Sequence, residues 1–312
     1  MPETNMESQT KLPQLRGVFS PTITAYHPDG SINPAGTRRF VRFLLDEGVD
    51  GLAPLGSAGE PVALTAAERM KVLDAIVEEV GGKIPIFAGT SDYSTASTIE
   101  LGLHAKSIGC DGLMLMAPFL LRPPKKDVLD YFRRIRERVG LPIMIYNVPS
   151  LSGIEVRPDE IRVLASEDVV HSVKWSHTEI SRIQDTRFLC GPKFPIFAGI
   201  DLVAFGALAA GADGWISGIP MIAPALAVRV HRLLCDQKLN EARELWYRIL
   251  PIIHIEYRAM GTDHSNPHWL AVCRESAALR GLDVGISRPP LQPVEDSVRE
   301  ELRAALQKLK QL

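Results

Sequence analysis

The feature that most limits what this chain can fold into is a strict alternation. Short apolar runs of strand length take turns with segments of helical period almost from end to end. Eight strand-like runs stand out: Val18 to Thr24, Gly51 to Leu55, Ile84 to Ala88, Gly112 to Met116, Pro142 to Tyr146, Val169 to Lys174, Ile196 to Gly199 and Gly214 to Ser217. Between them lie segments such as Asn33 to Glu47, Thr65 to Val80, Thr95 to Ser107 and Lys125 to Val139. These carry apolar residues three and four apart, as at Val72, Ile76 and Val80. Thr65-Ala66-Ala67-Glu68 has the form of a capping box.

Repeated βα units build a parallel sheet, either closed as a barrel or open and doubly wound. A GxGxxG after the first strand would favour the open sheet. That strand is followed instead by Ala25-Tyr26-His27-Pro28-Asp29-Gly30. The pattern therefore predicts an α/β fold, a (β/α)8 TIM barrel with a C-terminal helical extension. A short phrase recurs before three of the strands: Gly48-Val49-Asp50-Gly51, Gly109-Cys110-Asp111-Gly112 and Gly211-Ala212-Asp213-Gly214. It reads as a helix C-cap glycine followed by a tight αβ turn. From Leu239 the pattern is only helical, over Leu239 to Ile255, Asn266 to Arg280 and Val294 to Leu309. Three helices do not need a core of their own and are expected on the barrel's flank. The expected organisation is a disordered tail over 1–12, the barrel over 13–235 and the helical extension over 236–312.

Several function classes are set aside by composition. A formal net charge of -2 gives no electrostatic footprint for nucleic acid or an anionic membrane. The arginines at 133, 134, 136 and 138 fall on one helix and read as a solvated face. No uninterrupted apolar stretch reaches transmembrane length, so no membrane partner is expected. Cys110, Cys190, Cys235 and Cys273 are far apart and form no CxxC, which points to a reducing, cytoplasmic setting. His177, His264 and His268 are not read as ligands, and no His/Asp/Glu set has metal spacing. Neither a metal nor another cofactor is expected.

Three strands end on chemistry. Val169 to Val173 is an apolar run that ends on Lys174. An amine held in such a place tends to lose its proton, and a neutral amine attacks carbonyls to form a Schiff base. Ile143-Met144-Ile145 ends on Tyr146, a phenol able to pass a proton at the barrel mouth. Gly51 to Leu55 ends at Gly56-Ser57-Ala58-Gly59-Glu60, a turn whose free N–H groups suit a carboxylate or phosphate. All three sit at C-terminal strand ends, the functional face of a β/α barrel. Asp201 is a further candidate, either as a helix N-cap or as a substrate contact.

In their order and spacing, the glycine-rich turn, Tyr146-Asn147-Val148-Pro149 and Lys174 resemble the dihydrodipicolinate synthase and N-acetylneuraminate lyase superfamily. The resemblance extends over nearly the whole chain. It implies the barrel with its helical tail, a homo-oligomer (tetramer or dimer), and metal-free chemistry through a lysine Schiff base with pyruvate or another small 2-oxo acid. It implies that Lys174 is the Schiff-base lysine and Tyr146 the proton relay. Ser57 and Ala58 would hold the substrate carboxylate, with Gly199 and Ile216 lining the lysine's pocket through backbone groups.

Departures from the synthase pattern shape the expected substrate. Leu151 stands where the synthases carry an arginine that grips the aldehyde's carboxylate, and Leu120 where they carry a tyrosine lent by a neighbouring subunit. Ala58 lacks a hydroxyl often found in the turn. The lyases' Asp-Glu sugar-binding pair is represented by Asp201 and Leu202. Phe119, Leu120, Leu121, Leu151 and Leu202 would make an apolar entrance. The expected activity is a Schiff-base lyase, an aldolase or dehydratase, acting on a 2-oxo acid such as pyruvate or a 2-keto-3-deoxy sugar acid. The alternative is 4-hydroxy-tetrahydrodipicolinate synthase, with aspartate semialdehyde expected to be a poor co-substrate. A barrel that binds a 2-oxo acid without turnover is the reading from another class.

Overall fold

Residues 15–258 and 267–310 are described by a computed structural model. The tail expected over 1–12 lies outside them, as does His264. Along the chain the elements are β1 (Gly17–Pro21), α1 (Pro34–Asp46), β2 (Gly51–Ala53), α2 (Ala66–Val80), β3 (Phe87–Gly89), α3 (Thr95–Ser107), β4 (Gly112–Met116), α4 (Lys125–Val139) and β5 (Ile143–Asn147). There follow α5 (Pro149–Ser152), α6 (Pro158–Ser166), β6 (Ser172–Trp175), α7 (Ser181–Cys190), β7 (Ile196–Ala198), α8 (Asp201–Ala209), β8 (Gly214–Trp215), α9 (Ile219–Ile222) and α10 (Pro224–Cys235). The tail holds α11 (Leu239–Tyr257), α12 (Trp269–Ala278) and α13 (Asp296–Lys308).

All eight strands are parallel, in the order β2-β1-β8-β7-β6-β5-β4-β3. A parallel bridge between Leu52 and Ile86 joins the two ends of that order and closes the (β/α)8 barrel. Strand residues alternate between two cores. On β5, Ile143 and Ile145 face the helices, while Met144 and Tyr146 face the barrel axis with Phe19, Phe87, Phe197 and Ile216. Thr65 caps α2 as its sequence predicts: its hydroxyl accepts from the Glu68 N–H at 3.2 Å, and Glu68 accepts from the Thr65 N–H at 2.9 Å.

The recurring Gly-x-Asp-Gly phrase does more than end helices. Gly48, Gly109 and Gly211 have φ of 80°, 90° and 104°, the left-handed region that glycine enters freely. The aspartate then turns back to the neighbouring strand. Asp50 accepts from the Val18 N–H at 2.8 Å, Asp111 from Ile86 at 2.8 Å and Asp213 from Ile196 at 2.9 Å. One residue on, Gly51, Gly112 and Gly214 pair in register with Phe19, Phe87 and Phe197. A Cβ at any of these three glycines would overlap the facing phenyl ring. One four-residue phrase thus ends a helix, satisfies an N–H at the start of the adjacent strand and makes room for an aromatic plug. Sequence reading finds only the first role. The partners were visible as Val18-Phe19, Ile86-Phe87 and Ile196-Phe197, three apolar-Phe dipeptides.

The tail is not confined to the flank. α11 does pack beside α8 and α10, and Leu245, Ile249, Ile252 and Ile253 join the core shared with the barrel. At their facing ends α11 and α12 also reach the C-terminal face of the sheet, bringing Glu256, Tyr257 and Trp269 to a cavity there.

Candidate active site

Because β5 and β6 pair with Tyr146 opposite Lys174, both side chains leave the sheet on the same, inward face. Lys174 Nζ lies 3.9 Å from the centroid of the Tyr146 ring. Lys174 is buried, and no carboxylate among the described residues lies within ion-pairing distance of it. The Tyr146 hydroxyl is 3.1 Å from Ser57 Oγ. Amine, phenol and glycine-rich turn, distant in sequence, therefore share one cavity of about 110 Å³. Its wall also includes Ala58, Leu151, Ser176, Gly199, Ser217 and Gly218.

The turn is held in an unusual shape. Leu55 and Glu60 flank it at φ of 55° and 53°, where a side chain on Cβ is disfavoured. Between them Ser57–Gly59 forms a single 3-10 turn, whose first N–H groups have no partner inside the turn. Glu60 anchors it. Its carboxylate is ion-paired, in a buried setting, with Arg274 of α12 and accepts from Ser287 Oγ at 3.2 Å. Arg274 also donates to the carbonyls of Thr24 at 2.7 Å and Val284 at 2.9 Å. Removing one partner of such a pair leaves a buried charge uncompensated. The sequence motif contains Glu60, but nothing in its pattern names Arg274 as its partner.

Candidate residues from the sequence are placed unequally. Lys174, Tyr146, Ser57, Ala58 and Gly199 line the cavity together, and so does Leu151, which is 56% exposed at its edge. Gly199 has no room for a side chain, since a Cβ would overlap Ser176 Oγ. Its carbonyl accepts from Ser176 at 3.2 Å and from Ser217 at 3.3 Å. Ile216 does not line the cavity. It is wholly buried inside the barrel and spends its N–H on the Ala198 carbonyl at 2.8 Å, so Ser217 and Gly218 form that wall instead. Leu120 is also absent from the cavity wall. It is 75% exposed, on a loop where Leu120 and Arg122 both have positive φ.

Asp201 is neither a cap for its own helix nor a group facing the cavity. It is fully buried at the first turn of α8, and its carboxylate accepts from the N–H groups of Gly218 at 2.9 Å and Ile219 at 3.3 Å. The Tyr257 hydroxyl donates to it at 3.3 Å and takes the Asp201 N–H at 3.1 Å. It braces the cavity wall from behind.

Sequence reading missed Glu256. It lines the cavity from α11 and lies against Gly218, whose N–H binds the Asp201 carboxylate. Burial, and then the neighbouring Asp201, push the Glu256 acid well above the usual carboxylate range. Burial raises Asp201 as well, opposed by its hydrogen bonds. The missed signal was an acid inside an apolar stretch, Ile252-Ile253-His254-Ile255-Glu256. Among the described residues, no group of three or more His, Cys, Asp or Glu side chains is placed to hold a metal ion. His268 caps α12, and His177 accepts from the Glu179 N–H. No helix among the described residues is long and apolar enough to cross a membrane.

Comparison with known proteins agrees with this arrangement. The model of the dihydrodipicolinate synthetase family matches residues 14–309. A 4-hydroxy-tetrahydrodipicolinate synthase of Methanothrix thermoacetophila is 33% identical over 301 residues, 96% of this chain and 98% of its own. Among solved structures, a prophage protein of E. coli K12 belonging to the dihydrodipicolinic acid synthase family, in complex with pyruvate, superposes with a TM-score of 0.88. It is 28% identical, over 96% of this chain and 100% of its own. A catalytic-lysine mutant of the sialic acid aldolase of Ruminococcus gnavus gives 0.87 at 25% identity, over 96% of this chain and 98% of its own.

Proposed function

The chain belongs to the dihydrodipicolinate synthetase family, and from that premise we propose how its cavity works. The protein is a class I lyase that acts on a small 2-oxo acid through a Schiff base on Lys174. The observation that carries this reading is the meeting of Lys174, Tyr146 and Ser57 in one buried cavity. The substrate's carboxylate lies at the Ser57 and Ala58 N–H groups. Lys174 Nζ attacks the 2-oxo carbon, the carbonyl oxygen leaves as water, and an iminium remains. The iminium withdraws electrons from the adjacent carbon, so a C–C bond or a C–O bond one carbon further along can break. Tyr146 carries protons to and from the reacting atoms, oriented by its hydrogen bond to Ser57.

Leu151 at the cavity's edge, which offers no cation to a second carboxylate, supports an aldolase or dehydratase acting on a 2-oxo acid such as pyruvate or a 2-keto-3-deoxy sugar acid, and the small cavity favours a short acceptor. The synthase that condenses pyruvate with aspartate semialdehyde is the second reading, favoured by the name of the Methanothrix relative. The protein works as a homo-oligomer, dimer or tetramer, in the cytoplasm. The exposed Leu120 and Leu121 support self-association, and sedimentation as a 34.3 kDa species alone at micromolar concentration would contradict it. The test of function is proton exchange at pyruvate's methyl group in D2O, followed by NMR. Exchange requires the enamine, so it is expected in the native protein and absent in Lys174→Ala. A native protein that leaves the methyl protons in place is a binder and not an enzyme.

A further inference from the structure

Among the described residues, Glu256 supplies the single carboxyl in the cavity wall. It is 1% exposed, and its Oε2 has no hydrogen-bond partner among them. Helix periodicity does not ask for an acid at this place, since its neighbours Ile252, Ile253 and Ile255 are core residues. The adjoining wall is shaped around it: any Cβ at Gly218 would overlap the Glu256 carboxyl.

Glu256 and Asp201 are both buried and both lie against Gly218, and two carboxyls close together away from water do not both ionise. Asp201 is the one solvated by protein donors, with Gly218 N–H, Ile219 N–H and the Tyr257 hydroxyl directed at it. Asp201 therefore carries the charge, and Glu256 keeps a proton that points back to Asp201. An acid whose proton is spent in this way has acceptor capacity left over and no donor to fill it. A buried acceptor without a donor is unfavourable. A hydroxyl entering the cavity would supply the donor. A carboxylate, which only accepts, would not, and it would face the Asp201 charge.

We propose that Glu256 is a specificity-determining residue, accepting a hydrogen bond from a hydroxyl group that the substrate carries beyond its 2-oxo acid end. Asp201 and Gly218 hold its carboxyl in place. The assignment rests on Lys174 binding the 2-oxo acid end in the same cavity, and it gives Glu256 no bond-making or bond-breaking step.

The test is borohydride trapping with three probes: pyruvate, 2-oxopentanoate and 4-hydroxy-2-oxopentanoate. The adduct on the Lys174 peptide is quantified by mass, with intact and cleaved forms of the hydroxylated probe summed. In the native protein the hydroxylated probe is expected to half-saturate trapping at about tenfold lower concentration than 2-oxopentanoate, the size of one hydrogen bond. Glu256→Leu is expected to bring that ratio to about one. Glu256→Gln is expected to keep it, because its amide N–H replaces the acid proton toward Asp201 while its carbonyl preserves the acceptor. A ratio near one in the native protein overturns the proposal whatever the variants do, and so does a Glu256→Leu protein that keeps the tenfold preference. If pyruvate itself leaves no adduct on Lys174, the Schiff-base reading falls and this assignment falls with it.

Discussion

The two ends of the barrel are built from the same strands and use their acidic groups in opposite ways. At the N-terminal end, Asp50, Asp111 and Asp213 each accept an N–H at the start of the adjacent strand, and the space beside the glycine that follows is filled by a phenyl ring. At the C-terminal end, Asp201 is equally well bonded but has a second carboxyl against it, Glu256, with an oxygen left unpartnered. Lys174 stands nearby with a tyrosine ring and no counter-charge among the described residues. At one end the three aspartates spend their bonding capacity on neighbouring strands on folding. The other keeps bonding capacity in reserve, which is what a site needs in order to recognise something that is not part of the chain. This division matches the general separation of stability and catalysis between the two faces of such barrels.

That contrast can be broken from either end. The largest effect is expected at the top. Tyr146→Phe removes the hydroxyl and keeps the ring under Lys174, so steady-state kinetics should show kcat reduced by about 10²–10⁴-fold with the fold intact. A rate within a factor of a few of the native one would remove Tyr146 from proton transfer. At the bottom, Gly112→Ala pushes a methyl group into the Phe87 ring. Urea unfolding should show a loss of about 1–3 kcal/mol, the usual range for overpacking a core, with kcat unchanged below the transition. A large fall in kcat with little loss of stability would mean that the two ends are not separable. The smallest effect concerns the cavity's edge. Leu151→Arg restores a cation facing the cavity, and use of aspartate semialdehyde should improve by roughly tenfold. Robust condensation of pyruvate with that aldehyde by the native protein would instead favour the synthase reading.

Sequence reading went furthest where the physics is local. The strand and helix periods, the Thr65 capping box and the left-handed glycines all depend on residues close in the chain, and the structure reproduces α3 and α4 to the residue. Lys174, Tyr146 and Ser57 were legible because barrel geometry gathers every C-terminal strand end onto one face. What lay hidden depended on pairs far apart in sequence. Glu60 and Arg274 are separated by 214 positions, and neither residue's neighbours announce the other. Asp201 reads in sequence as an N-cap or a substrate contact because its donors are distant: the N–H groups of Gly218 and Ile219, with no polar side chain to signal a bond, and the Tyr257 hydroxyl, 56 positions away. Glu256 was obscured by the apolar stretch that buries it. Leu120, matched to a tyrosine that the synthases lend to a neighbouring subunit, is exposed on its loop outside its own chain's cavity, where a residue offered to another subunit would stand.

The central claim is that Lys174 is the covalent centre of the cavity. Incubation with pyruvate and borohydride, followed by peptide mapping, tests it most directly. The account predicts a single reduced pyruvyl adduct on the peptide containing Lys174, lost in Lys174→Ala. No adduct in the native protein, or the same adduct surviving in Lys174→Ala, would contradict it.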